Sequence, residues 1–262
     1  MLTASGDRTA RLAAWATALL LGRISPADAV EGIVGDDVFH DVAYLPGRAD
    51  PIPLAEALAV IGELGTGGVR FAPAAPGRIA ELPGPSFFNQ AAVAAGGAAV
   101  AVSGPALGWL PTMTRHGPDG DTVTSVTWHT YEVAVRAWAP ANLSSAARLL
   151  VSAFQDAIDE LQRLDVARPR PGVRELVRSQ RTPAPSHVLP PGHPPNASDL
   201  LDRAVQLQQV VALAREDDGG AVTGAERERR ADVLHVLDGQ LQEAGAAAWN
   251  AGLLAPHAQL PG

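Results

Sequence analysis

The sequence predicts the α+β class: a mixed sheet of about five strands with flanking helices, followed by a helical C-terminal region containing an antiparallel helical hairpin. Three observations predict it. Strand-type runs alternate with helical periodicity over residues 1–140, whereas beyond Pro140 the apolar residues recur at spacings of three and four. Six prolines fall within residues 181–195, a density no helix tolerates. The chain therefore reads as an α+β domain over 1–140 and a helical region over 141–262 with a Pro-rich connector at 181–195.

Leu12, Trp15, Ala16, Leu19 and Leu20 lie at helical spacing, so the first segment is expected to dock one apolar stripe on a core. Ser25-Pro26 supplies an N-cap with proline at the first helical position, and Gly35 is a natural terminator, which places a short helix between them. Val38 to Leu45 suits a strand, Pro53 to Leu64 a helix and Val69 to Ala72 a strand, together a β-α-β unit. A long loop follows, then a helix over 85–95 closed by Gly96-Gly97 and a buried-type strand from Ala98 to Ser103. Runs at 107–116 and 122–135 flank Gly117-Pro118-Asp119-Gly120 and should pair as a hairpin.

In the helical region, Leu150, Phe154, Ala157, Ile158, Leu161 and Leu164 form one stripe, with Ser144 or Ser145 available as its cap. Leu200, Ala204, Leu207, Val211 and Ala214 form a second, and Leu237, Leu241, Ala244 and Ala248 continue a third. Spacings of three and four make the last two the facing stripes of the hairpin, and Thr223 with Glu226 reads as a capping box between them.

Composition excludes several chemistries. All twenty basic residues are arginine, and neither lysine nor cysteine occurs. Schiff-base catalysis, a phosphate-loop lysine, a thiol nucleophile, disulfides and cysteine-ligated metals are therefore absent. The net charge of −8 makes nucleic acid an unfavourable partner overall. The apolar run from Leu12 to Leu21 lacks a small-residue cleavage site and is shorter than the roughly 20 residues that span a bilayer, so a cytoplasmic protein without membrane contact is expected.

The segment from Pro73 to Pro85 runs from a strand end to a helix start, carries Arg78 and Glu81, and is followed by Ser86 and Asn89. Long loops at such positions serve as anion sites, so Arg78, Ser86 and Asn89 are the candidate ligand-binding residues, with a small anionic ligand as their occupant. Arg163, Arg168, Arg170, Arg174, Arg178 and Arg181 stand against Asp165 and Glu175, a local excess of four positive charges. Arg170, Arg174, Arg178 and Arg181 are the candidate anion or partner face. Asp36, Asp37, His40 and Asp41 include metal-ligand types but match no metal spacing and read as turn and strand residues. His129 and Tyr131 share one face of the hairpin, where they read as a partly buried sheet face. No nucleophile elbow or zinc-protease motif occurs, so no catalytic residue, metal or cofactor is assigned.

On Val34-Gly35-Asp36-Asp37, Leu45-Pro46-Gly47, Leu82-Pro83-Gly84-Pro85-Ser86-Phe87-Phe88-Asn89, Leu189-Pro190-Pro191-Gly192-His193-Pro194-Pro195 and Trp249-Asn250-Ala251, the chain resembles an uncharacterised conserved protein group of high-GC actinobacteria. The resemblance implies a bacterial cytoplasmic setting and carries no activity or site. The expected role is a non-catalytic binding or regulatory protein acting through contacts with a protein partner or a second copy of itself. The rivals are a small-molecule enzyme with a cleft between the two parts and a phosphate or nucleic-acid binder using the arginine face.

Overall fold

In the computed structural model, which describes residues 3–118, 121–163, 189–216 and 224–254, the chain divides into two compact units. One comprises 3–140 together with 189–194 and 249–254, and the other 141–163, 195–216 and 224–248. The first is built around a mixed sheet and the second from helices, which is the α+β class the sequence predicts.

The first unit runs α1 (Ala4–Leu20), α2 (Pro26–Val34), β1 (Phe39–Ala43), β2 (Ile52–Pro53), α3 (Leu54–Glu63), β3 (Val69–Pro73), α4 (Ser86–Ala95), β4 (Gly97–Ala101), β5 (Leu107–His116) and β6 (Val123–Glu132). Its six strands lie in the order β2-β1-β6-β5-β4-β3. The sixth strand, β2, is two residues long and pairs with β1, too short to show a period of two. The β1-α3-β3 succession is not a β-α-β unit in space. Three strands separate β1 from β3, and β6 takes the parallel position beside β1, from Phe39 opposite Ser125 to Ala43 opposite His129. Periodicity reveals a strand, but its neighbour is chosen by packing.

The expected hairpin forms, with β5 and β6 paired from Leu107 opposite Glu132 to His116 opposite Val123. Gly117 begins the turn at φ +103°, and a Cβ there would lie 2.3 Å from the Asp121 carbonyl oxygen, so glycine is required. Residues 119 and 120 of the turn lie outside the described residues.

α2 is assembled as its caps predict: Ser25 Oγ accepts from the Asp28 N–H, Asp28 accepts from the Ser25 N–H, and Gly35 ends the helix at φ +55°. α1 departs from the single-stripe expectation, because Leu12 through Ala18 are all buried. It lies against β3, β4 and β5 and packs with α2. Gly32 permits this approach: a Cβ there would fall 2.2 Å from the Trp15 ring. Small alanines let the helix be enclosed, and burying a side chain such as Leu12 contributes about 1.5–3 kcal/mol.

β3 is an edge strand, and its outward polar groups are capped by two side chains. Thr17 Oγ1 accepts from the Val69 N–H at 2.9 Å and donates to the Val69 carbonyl at 2.6 Å. Asn250 Oδ1 accepts from the Phe71 N–H at 2.7 Å, and its amide nitrogen donates to the Phe71 carbonyl at 2.8 Å. Both caps imitate a neighbouring strand and close an edge that would otherwise recruit other chains. Around Asn250, Arg23 donates to the Gly252 carbonyl at 2.6 Å, and His193, from the end of the Pro-rich connector, sits 3.2 Å from the Trp249 carbonyl.

The second unit contains α5 (Leu143–Arg163), α6 (Pro195–Glu216) and most of α7 (Gly224–Asn250). Asn142, rather than Ser144 or Ser145, caps α5 by accepting from the Ser145 N–H at 3.1 Å. Leu150 and Ala157 are buried, whereas Ile158 is exposed. Leu200, Ala204 and Val211 on α6 and Leu237, Leu241 and Ala244 on α7 are buried as their spacing predicts. Arg230 donates to the Ala214 carbonyl and Arg215 to the Leu234 carbonyl, tying the end of α6 to the first half of α7 as a hairpin requires. Thr223 of the expected capping box lies outside the described residues.

Candidate functional site

The loop after β3 is a folded cover. Ala75 and Arg78 exchange both backbone hydrogen bonds, at 3.1 and 2.8 Å, and Leu82 inserts among Ala72, Phe88, Ala92 and Leu110 on the face of the sheet that α4 covers. Asn89 Oδ1 accepts from the Gly84 N–H at 2.9 Å, so this amide holds the turn that leads into α4. Ser86 is the first residue of α4 and is exposed, and Arg78 sits in the Ala75–Arg78 turn. None of the three lines the cavity found beside the loop.

That cavity, of about 80 Å³, is lined by Arg70, Pro83, residues 100–106 and 133–136, and Trp138. Strand alternation sends Val69 and Phe71 to one face of β3 and Arg70 with Ala72 to the other, under the loop. Arg70 is thereby buried, with its side chain 3% exposed. Its Nη2 donates to the Glu81 carbonyl at 2.7 Å, its Nη1 stands 3.4 Å from Glu81 Oε2, and the Trp138 ring centre lies 5.2 Å from the guanidinium carbon. Arg136 donates to the adjacent Leu82 carbonyl at 3.1 Å. Two guanidinium groups thus hold consecutive loop carbonyls and line one cavity. Burial pulls the Arg70 pKa down to about 10, with Glu81 opposing and Arg136 adding to the fall.

The cavity lining offers two guanidinium groups as hydrogen-bond donors. Ser103, the one hydroxyl among the lining residues, accepts from the Gly67 N–H at 3.1 Å, and the lining contains no imidazole or carboxylate to act as a base. Arg70 is hidden in the sequence because it stands inside the apolar run Gly68-Val69-Arg70-Phe71-Ala72, which reads as a buried strand. A charge in mid-run was the available signal. The arginine face of Arg170, Arg174, Arg178 and Arg181 lies outside the described residues.

The Asp36–Asp41 segment contributes a second polar cluster. Asp37 accepts from Arg8 Nε at 2.7 Å and Arg8 Nη2 at 2.5 Å, and its Oδ2 lies 3.0 Å from His40 Nε2. The Trp128 indole N–H donates to His40 Nδ1 at 3.3 Å. Indole is donor-only, so His40 carries its proton on Nε2 and gives it to Asp37. Asp37 and His40 therefore spend their polar atoms on each other, on α1 and on β6. His129 and Tyr131 share a face as alternation predicts, but His129 packs on Tyr44 at 5.5 Å and Tyr131 on Phe88 at 5.5 Å.

Burial lowers the pKa of His40, with Asp37 opposing and Arg11 and Arg8 reinforcing the fall. Burial likewise lowers that of His193 against the Trp249 and Pro190 carbonyls, with Arg23 adding to the fall. Both groups bind protons more tightly when unfolded, where histidine titrates near about 6.5, so stability is lost as pH falls below that value. The urea midpoint should be lower at pH 5.5 than at pH 7.5; an equal or higher midpoint would show that neither histidine is held neutral.

Two family models match the chain in succession: the N-terminal domain of Rv1486c-like protein over residues 9–143 and the C-terminal domain of Rv1486c-like protein over residues 144–246. No curated protein and no solved structure matches it.

Proposed function

The chain belongs to the Rv1486c-like protein family, and for this member we propose the role of a non-catalytic binding protein that holds a small anion in the Arg70–Arg136 cavity. The observation that carries the reading is a cation buried on β3 whose neighbouring carboxylate, Glu81, stands at 3.4 Å with its side chain 51% exposed. A buried charge so incompletely neutralised favours an anion brought from outside. An actinobacterial, cytoplasmic setting is part of the same proposal, supported by the arginine-only, cysteine-free composition. Among the described residues no helix is long and apolar enough to cross a membrane.

Native mass spectrometry of the full chain titrated with inorganic phosphate tests the reading. One phosphate adduct is expected, lost in Arg70→Met and weakened about tenfold or more in the surface variant Arg136→Gln, as charge-assisted hydrogen bonds of about 1.5–3 kcal/mol imply. No adduct, or one indifferent to both variants, would sink it.

A second reading, contact with another copy of the chain, is favoured by a groove of about 850 Å³ between α5 and α7. Leu149 and Val236, 58% and 63% exposed, flank it, and Asp156 and Asp232 with Arg229 give its rim both signs of charge, which suits self-association. The same spectra should then contain a dimer that Val236→Glu removes, and a chain monomeric at every concentration would exclude it.

A further inference from the structure

We infer that the Glu81 carboxylate is a resident counter-anion of Arg70, displaced when the carboxylate or phosphate group of a small ligand enters the cavity. The inference rests on the binding role proposed above and adds its mechanism and ligand class.

Glu81 touches Arg70 through two parts of very different hold. Its backbone carbonyl accepts from Nη2 at 2.7 Å, whereas its carboxylate reaches Nη1 at only 3.4 Å, the outer limit of such a contact, from a half-exposed side chain. The loop does not depend on that carboxylate. The Arg70 bond to the Glu81 carbonyl, the Arg136 bond to the Leu82 carbonyl and the buried Leu82 side chain hold it in place. The carboxylate can therefore rotate into water while the backbone stays where it is, giving up a long ion pair that is exposed to solvent on the Glu81 side.

What replaces it gains more than it gave. An anion inside the cavity meets a guanidinium that burial makes less tolerant of its own charge, in surroundings less polar than those of the exposed Glu81 carboxylate. The volume of about 80 Å³ is two to three times the roughly 30 Å³ share of a water molecule, enough for one carboxylate or phosphate group. The rest of a ligand would extend outward past Trp138, which lines the cavity. Trp138 lies against the guanidinium and limits its rotation, which presents a fixed fork to the incoming oxygens.

Calorimetric titration of the full chain with inorganic phosphate, and separately with acetate, tests this in wild type and in Glu81→Gln, an exposed position where the amide keeps the shape and folding is preserved. Removal of the competitor should tighten the preferred anion about two- to fivefold, the range for a weak ion pair whose carboxylate stands in solvent. The larger tightening, for acetate or for phosphate, identifies the ligand class. Wild-type binding that Glu81→Gln leaves unchanged or weakens, while Arg136→Gln still reduces it, overturns the exchange and leaves the anion site standing. Absence of binding of both anions in both proteins overturns the site and the exchange together.

Discussion

Asp37→Ala is expected to destabilise the sheet-containing unit by about 3 kcal/mol, the lower end of the range for breaking a buried ion pair. The Asp37 side chain is 3% exposed and joins Arg8 of α1 to His40 of β1, while His40 in turn accepts from Trp128 of β6. Alanine removes the acceptor of Arg8 Nε, Arg8 Nη2 and the His40 Nε2–H, leaving Arg8 its Nη1 bond to the Ala4 carbonyl at 3.1 Å. Arg8 is 18% exposed and recovers part of its hydration, which keeps the cost below the upper end of the range. The neighbouring charge also sets the sign of the acid response. Burial alone would raise the Asp37 pKa, but hydrogen bonds from Arg8 and His40 outweigh it and lower the value. The contribution of Asp37 is thus complete above the unfolded carboxyl value of about 3.9 and disappears as pH falls through the folded one. All five tryptophans lie in this unit, so urea unfolding followed by tryptophan fluorescence reads it directly. A loss under about 1 kcal/mol would show that the network is not coupled.

Asn250→Ala should cost about 2–4 kcal/mol in the same measurement. The substitution strips partners from the buried N–H and carbonyl of Phe71, each carrying a desolvation penalty of about 1–3 kcal/mol. Asn250→Asp makes the test specific. A carboxylate can still accept from the Phe71 N–H but cannot donate to the Phe71 carbonyl, so it should destabilise at least as much as alanine despite its closer shape. An aspartate variant close to wild type would disprove the two-way bond. Both variants uncover part of the β3 edge and should raise concentration-dependent association above the wild-type level.

Particular residues show how far the fold was legible. α2 follows from Ser25, Pro26 and Gly35 because capping is a local matter of one side chain and the next backbone N–H. The β5–β6 hairpin follows from Gly117 and the runs beside it for the same reason. α1 was legible as a helix but not as an enclosed one, since its burial depends on the sheet on one side and α2 on the other. The candidate site was legible only as a place. The loop after β3 does border a cavity, yet Asn89 is occupied with Gly84, and the charges that line the cavity are Arg70, the second residue of a strand, and Arg136 beyond β6. The resemblance motifs at 189–195 and 249–251 carry no role in the sequence, while in space His193 reaches the Trp249 carbonyl and the next residue, Asn250, caps the edge of β3.

The order of amino acids by itself therefore determined the α+β class, the helices with strong caps, the tight hairpin and the chemistries excluded by the lack of lysine and cysteine. These depend on interactions within a few residues or on composition. The tertiary structure alone decided that β6 and not β3 lies beside β1, that Thr17 and Asn250 cap the β3 edge, that Arg8, Asp37, His40 and Trp128 form one network, and that Arg70 is buried beside Glu81. Apart from Asp37 and His40, three positions apart, these contacts join residues distant in the chain, from 11 positions for Arg70 and Glu81 to 179 for Asn250 and Phe71. Such pairs form when packing excludes water, and only then does a hydrogen bond or a charge acquire the energy that assigns it a partner.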